Sequence, residues 1–172
     1  MPGMGEAEGK AQGNILPQVA MYYLKRKPKT SKTAKGSLTT LIHKLDGIFS
    51  EYIRLRDSRP FGYRAFRCIS CGQIKPYEKA DCGHFISRKH MSTRFDENNC
   101  NAECSYCNRF SADHLIAYQT NLKRKIGEDK FNLLLARGHM TKKWSSYELE
   151  ILIKHYTYLV NEMKKEKRGF KQ

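Results

Sequence analysis

Two cysteine pairs limit what this chain can fold into: Cys68-Ile-Ser-Cys71, followed at once by Gly72, and Cys104-Ser-Tyr-Cys107. A two-residue gap lets both thiolates of a pair point at one ion, and the glycine relieves the tight turn. Four sulfurs complete a closed tetrahedral site, so the pattern predicts one structural Zn²⁺ held by Cys68, Cys71, Cys104 and Cys107. All six cysteines fall between positions 68 and 107. The start of the chain shows no signal-peptide pattern, so reduced thiols and a cytoplasmic location are expected. In a small basic chain such an ion contributes folding free energy outright. Cys82 and Cys100 are left over. They read as two small buried residues, with the alternative that one of them displaces a knuckle cysteine.

The charge balance narrows the partner. Lys and Arg total 32 against 17 Asp and Glu, a formal charge of +15. Self-repulsion of that size works against compactness and points to a polyanion, with nucleic acid first. No run approaches the roughly 18 apolar residues of a spanning helix, so no membrane partner is expected. Residues 1–36 combine spaced glycines with Lys25, Arg26, Lys27, Lys29, Lys32 and Lys35, a flexible basic arm that either lies along phosphates or is simply solvated. The remainder, 37–165, reads as one domain, with a basic, frayed tail over 166–172. Ser37 precedes apolar residues spaced by three and four, predicting a helix over 37–57. A core over 66–126 holds short strands, the knuckles and a helix from about Ser105 to Lys125, stopped at Gly127. Helices follow within 128–165, a short one from Glu128 to Arg137 and a last one opened by a Ser145/Glu148 capping box. The apolar face of that last helix suits either the first helix or a dimer seam.

The gap between the pairs is longer than in compact zinc ribbons, so something is built there. It reads Asp81-Cys82-Gly83-His84-Phe85-Ile86-Ser87-Arg88-Lys89-His90 and then Asp96 to Glu103, and Asn108 follows the second pair directly. Phosphodiester hydrolysis needs a deprotonated water, a cation on the scissile phosphate and stabilisation of developing charge. An imidazole suits the first task at neutral pH, and a guanidinium such as Arg88 can clamp phosphate oxygens. Arg88, Lys89, His90, Arg94 and Arg109 would suit a DNA-facing surface, as would the Lys123–Lys125 run, which could equally be solvated. His114 reads as a cap or a solvent-facing residue.

A His on a strand, an Asn five residues before a Cys-x2-Cys pair and an Asn after it resemble the His-Asn-His (HNH) nuclease signature. That resemblance implies an α+β fold: a small zinc-stapled ββα-metal core, treble-clef-like, flanked by long amphipathic helices. It implies His84 as general base, Asn99 as the residue that holds the strand carrying the His by its backbone, and Asn108 as a ligand of catalytic Mg²⁺ or Mn²⁺. More narrowly, "LIHKLDGIFSEYIRLRD", "CISCG", "DCGHFISRKH", "RFDENNCNAECSYCNRF" and "TKKWSSYELEILIKHY" resemble, in order over about 37–165, the phage NinG (Rap) recombination family. The Cys-x2-Cys-Asn arrangement is also similar to phage endonuclease VII. The resemblance implies a phosphodiester hydrolase acting on branched DNA such as Holliday junctions and D-loops in a bacterial host, as a homodimer alongside phage recombination proteins. The alternatives are an HNH endonuclease or nickase without branch specificity, and a non-catalytic zinc-dependent DNA-binding module. This chain departs from the pattern in two ways. Residues 1–36 lack the cysteine-rich finger of some members. Gly83 stands where many HNH enzymes carry a metal-binding Asp, and Asp81, on the same strand face, is the expected substitute.

Overall fold

The computed structural model describes residues 37–111 and 113–170, so the basic arm expected over 1–36 and the last two tail positions lie outside the described residues. Helix α1 (Leu38–Ser58) begins where the sequence offers a cap: the Ser37 hydroxyl accepts from the Thr40 N–H at 3.2 Å. Its buried stripe includes Leu45, Phe49, Tyr52 and Ile53. This stripe packs against α5 (Ser146–Gly169), which buries Leu149, Ile153, Tyr156 and Val160 and is opened by the full Ser145/Glu148 capping box. Phe49 meets Tyr156 edge-on at 4.9 Å. The apolar face of the last helix therefore goes to the first helix, not to a dimer seam. The frayed tail expected over 166–172 is corrected in its first part: the helix runs to Gly169. Arg59 pairs with Glu166 at 3.0 Å, and Phe170 lies edge-on to Tyr63 at 5.9 Å.

Between the long helices lie two small antiparallel sheets, giving an α+β fold. Strands β1 (Ala65–Arg67) and β2 (Ile74–Pro76) form a hairpin whose turn carries Cys68 and Cys71. Strands β3 (Ala80–His84) and β4 (Cys100–Cys104) pair with Asp81 opposite Glu103, Gly83 opposite Asn101 and His84 opposite Cys100. Directly paired residues share a face, and neighbours along a strand alternate. One face therefore carries Cys82, His84 and Cys100. The other carries Asp81, Gly83, Asn101 and Glu103.

The helix expected from Ser105 to Lys125 is two. Helix α2 (Ser105–Phe110) stops at Ser111, whose backbone is extended (φ −88°, ψ 115°), and α3 (His114–Ile126) starts afresh. Ser111 and Asp113 flank the break, residue types that compete for local backbone hydrogen bonds and favour helix ends. Gly127, at φ +84°, closes α3 and leads into α4 (Glu128–Gly138).

A buried polar cluster locks α1 to the second hairpin. Arg56 donates to the carbonyls of Cys100 (2.9 Å) and Glu97 (3.1 Å) and to the Asp57 carboxylate, which itself accepts from the Ala102 N–H at 2.7 Å. Burial opposes ionisation of Asp57, but the charges of Arg56 and Lys125 outweigh it and hold the carboxyl below its usual range. No helix among the described residues is long and apolar enough to cross a membrane.

Candidate metal centre and its surroundings

The first hairpin and the start of α2 bring Cys68, Cys71, Cys104 and Cys107 together, with all four sulfurs within 4.8 Å of one another. The backbone shapes the knuckle. Gly72 adopts φ +70° and donates to the Cys68 carbonyl at 2.9 Å, and the Cys104 N–H points at the Cys68 sulfur at 3.3 Å. Asn121 on α3 ties the knuckle down by donating to the carbonyls of Ile69 and Ser70. Burial pushes the Cys68 thiol up to about 11. Cys71 goes the other way: burial is outweighed by the Gln73 N–H and by neighbouring thiols, which favour its thiolate. The donor set fits a thiophilic ion such as zinc.

Beside this quartet, the β3–β4 hairpin builds two more polar groups, one on each face. On the first face, one nitrogen of His84 and the sulfurs of Cys82 and Cys100 lie within 4.8 Å of one another. His84 Nε2 is 3.1 Å from the Arg94 carbonyl, while Nδ1 is 3.3 Å from the carbonyl of Cys82. Burial holds the imidazole below the usual histidine value, and the Arg88 charge adds to this against the pull of the two carbonyls. Just past β3, the buried Asn99 amide grips Ile86 at two points, accepting from its N–H at 2.7 Å and donating to its carbonyl at 2.9 Å. The same amide nitrogen donates to the Thr93 carbonyl at 3.0 Å. The buried Tyr118 hydroxyl sits between the carbonyls of Gly83 (3.0 Å) and Asn99 (3.2 Å), joining the strand that carries His84 to the segment that carries Asn99.

On the second face, the Asn108 amide donates to Asp81 at 3.1 Å, so the expected pair of hard-cation ligands does converge. Asp81 is already engaged, however: Arg109 binds both of its oxygens, at 2.8 and 2.9 Å. Burial of Asp81 is outweighed by Arg109 and Asn108, which hold its carboxyl below the usual range. Glu103, 0% exposed, was not legible as a site residue from sequence. Its Oε1 accepts from Ser70 and faces His114 Nδ1 at 2.8 Å, and its Oε2 has no partner. A Cβ built on Gly83 would collide with this carboxyl group, so Glu103 fills the space of the missing side chain at position 83. His114, read as a cap or solvent-facing residue, is instead a partner of Glu103. Finding Glu103 required the β3–β4 register, which the long 85–99 connection hides from a linear reading.

The model of the family described as Bacteriophage Lambda NinG protein matches residues 20–166. The chain belongs to the NinG family. Protein ninG of Escherichia phage 933W is 26% identical over 141 residues, covering 81% of this chain and 66% of that relative. Protein ninG of Escherichia phage lambda is 24% identical over 139 residues (80% and 64%), and that of Salmonella phage P22 is 25% identical over 139 (80% and 64%). The chain thus spans about two thirds or less of these curated relatives. No solved structure matches it.

In this NinG-family chain the expected DNA-facing residues divide. Arg88 and Lys89 are exposed, Arg88 holding Asp46 only at 3.3 Å. Arg109 is exposed although tied to Asp81. Arg94 and the exposed His90 also make contacts within the fold. Arg94 is committed inward, bound to both Asp46 oxygens at 2.5 and 2.9 Å and to the Arg88 carbonyl, because it closes the 85–99 loop onto α1. His90 donates to the Gly138 carbonyl at 3.0 Å, docking the same loop on α4. Of the basic run on α3, Lys125 is drawn to Asp57 and Asn101, and Lys123 pairs with Glu128.

Proposed function

We propose that this chain is a metal-dependent endonuclease of the HNH type that cuts branched DNA such as Holliday junctions and D-loops, with His84 as its general base. The observation that carries the reading is the setting of His84. Nε2 faces the Arg94 carbonyl at 3.1 Å and Nδ1 that of Cys82 at 3.3 Å; in the tautomer that donates from Nε2, Nδ1 holds the lone pair that takes a proton from water. Burial keeps the ring neutral at pH 7. Asn99 fixes the backbone immediately beyond. Family membership and the charge of +15 are consistent with this reading.

A hard cation, Mg²⁺ or Mn²⁺, would neutralise charge on the scissile phosphate and the leaving oxygen. The residues present fit one. Asn108 turns its amide nitrogen to Asp81 and leaves its oxygen for a ligand, and Glu103 offers a buried oxygen with no other partner. Asp81 joins them only when Arg109 lets go. His84 is the last residue of β3 and lies on the opposite face of the hairpin from Asp81, so under this reading the scissile phosphate bridges the two groups around the end of the strand. Arg88 is exposed there to clamp phosphate oxygens. The exposed Tyr106 and Phe110 flank Asn108 and Arg109 and suit the unstacked bases of a branch point. A four-way junction has local two-fold symmetry, so a homodimer is the working form, with phage recombination proteins as further partners in the bacterial cytoplasm.

The test is cleavage of a labelled four-way junction against linear duplex, in Mg²⁺ and in Mn²⁺, with His84→Ala beside the wild type. The wild type should cut the junction selectively, and His84→Ala should bind it yet cut at least about 100-fold more slowly. Equal cutting of both DNAs would leave an HNH endonuclease or nickase without branch specificity. Binding without cleavage by either protein would leave a zinc-dependent DNA-binding module.

A further inference from the structure

We infer that Cys82, His84 and Cys100 form a second site for a thiophilic divalent cation, separate from the four-cysteine site. The three donors come from two strands and share one face because His84 pairs directly with Cys100 and Cys82 lies two residues before His84. Their ligand atoms all lie within 4.8 Å of one another.

The surroundings of His84 are those of a metal ligand. A ligating imidazole characteristically donates its other N–H to a backbone carbonyl, which fixes the tautomer. Here Nε2 lies 3.1 Å from the Arg94 carbonyl, placed to donate to it. Nδ1 is then left with a lone pair 3.3 Å from the Cys82 carbonyl oxygen, a contact between two acceptors. A cation bound to the ring nitrogen that carries the lone pair relieves it. The same Arg94 carbonyl takes the weak Cys100 S–H at 3.7 Å, so no stronger hydrogen bond opposes deprotonation of that thiol by an ion. Binding a divalent ion releases the two thiol protons to solvent. The product, two thiolates with a doubly charged ion, is neutral, which suits a half-buried pocket. Three protein ligands leave one position open, unlike the closed quartet.

The occupant is identified by its chemistry as a soft or borderline ion, for which Zn²⁺ is the probe. His84 is also the residue that the proposed function uses as base, and its lone pair cannot serve both purposes. Zinc in this site therefore switches cleavage off, and this consequence, unlike the site itself, rests on the nuclease reading.

The test counts zinc on the full chain by native mass spectrometry and metal analysis during zinc titration. The wild type should hold two ions, the second released by a mild chelator before the first. Cys82→Ala, at a half-exposed position, should hold one, with an unchanged far-UV spectrum and unfolding midpoint of its one-zinc form. Cobalt should report the same step as a loss of thiolate-to-metal absorption. A wild type that saturates at one ion, a Cys82→Ala chain that keeps two, or a Cys82–Cys100 disulfide recovered instead of metal would each overturn the site. In the junction assay, the zinc concentration that halves cleavage should rise at least tenfold in Cys82→Ala. Equal zinc sensitivity in the two proteins would overturn the switch. A chain that never cuts DNA leaves the zinc count standing and fails only the nuclease reading.

Discussion

The cysteine quartet and the Cys82–His84–Cys100 trio meet on the β3–β4 hairpin only through Cys104 and are built for different work. In the quartet, three of the four residues are buried, and glycine, backbone N–H groups and Asn121 all serve to hold sulfur in place. In the trio the donors are mixed, the imidazole is oriented by a carbonyl, and two of the three residues reach the surface. A closed four-sulfur site is a structural staple, whereas a three-donor site with an open position is where chemistry or exchange takes place. The sharpest way to break this contrast is Cys104→Ser. It should remove most of the folding free energy of the core, because structural zinc supplies about 10 kcal/mol or more to small zinc modules. Circular dichroism and zinc content would measure the loss. A folded, zinc-loaded Cys104→Ser chain would mean that Cys82 or Cys100 can replace a knuckle cysteine, and that the two clusters are interchangeable.

Asn99→Ala tests whether the trio's side of the hairpin has a frame of its own. It deletes three hydrogen bonds from a fully buried amide and takes from Ile86 the partner of both its N–H and its carbonyl. The expected cost is about 2–4 kcal/mol at roughly 1 kcal/mol per bond, read from chemical denaturation at constant zinc. The quartet should survive, so zinc content should fall by no more than the weaker ion. Loss of all zinc would show that one frame serves both clusters.

The sequence made different parts of this arrangement legible for different physical reasons. Local signals carried well: the Ser37 cap, the Ser145/Glu148 box and the Cys-x2-Cys pairs each involve residues a few positions apart. Asn99 and Asn108 were also readable, because their spacing from the second pair is short. What stayed hidden depended on long-range register. Arg94 and His90 sit in a basic segment and read as DNA contacts; their contacts with Asp46 and Gly138 appear only in the folded chain, where His90 stays exposed. Glu103 and Cys100 acquire their neighbours only when β4 folds back on β3. The break at Ser111 was signalled by its residue types, yet the apolar period ran across it.

The opposite face of the hairpin supplies a smaller contrast. Under the proposed reading, Glu103→Gln should raise the Mg²⁺ or Mn²⁺ concentration for half-maximal cleavage by about 10-fold or more. Asp81→Asn should raise it less, because Arg109 already neutralises that carboxylate. The reverse order would make Asp81, released from Arg109, the main carboxylate ligand.

The smallest expected effect is on pH dependence, and it bears on the trio's imidazole alone. The base must be neutral, and the folded His84 titrates below the usual histidine value of about 6.5. Cleavage should therefore hold as pH falls to that value and be lost only below it, as the folded imidazole takes its proton. In the same window the unfolded chain binds more protons than the folded one, so stability also rises with pH there. Burial is the main cause and cannot be removed without disturbing the hairpin, but the second cause, the Arg88 charge, can. Arg88→Gln should move the acid limb of kcat/KM upward toward the usual value, whatever it does to the rate on the plateau. A limb that stays fixed would mean that burial alone sets His84. A limb that moves down would mean that the titrating group is not this imidazole.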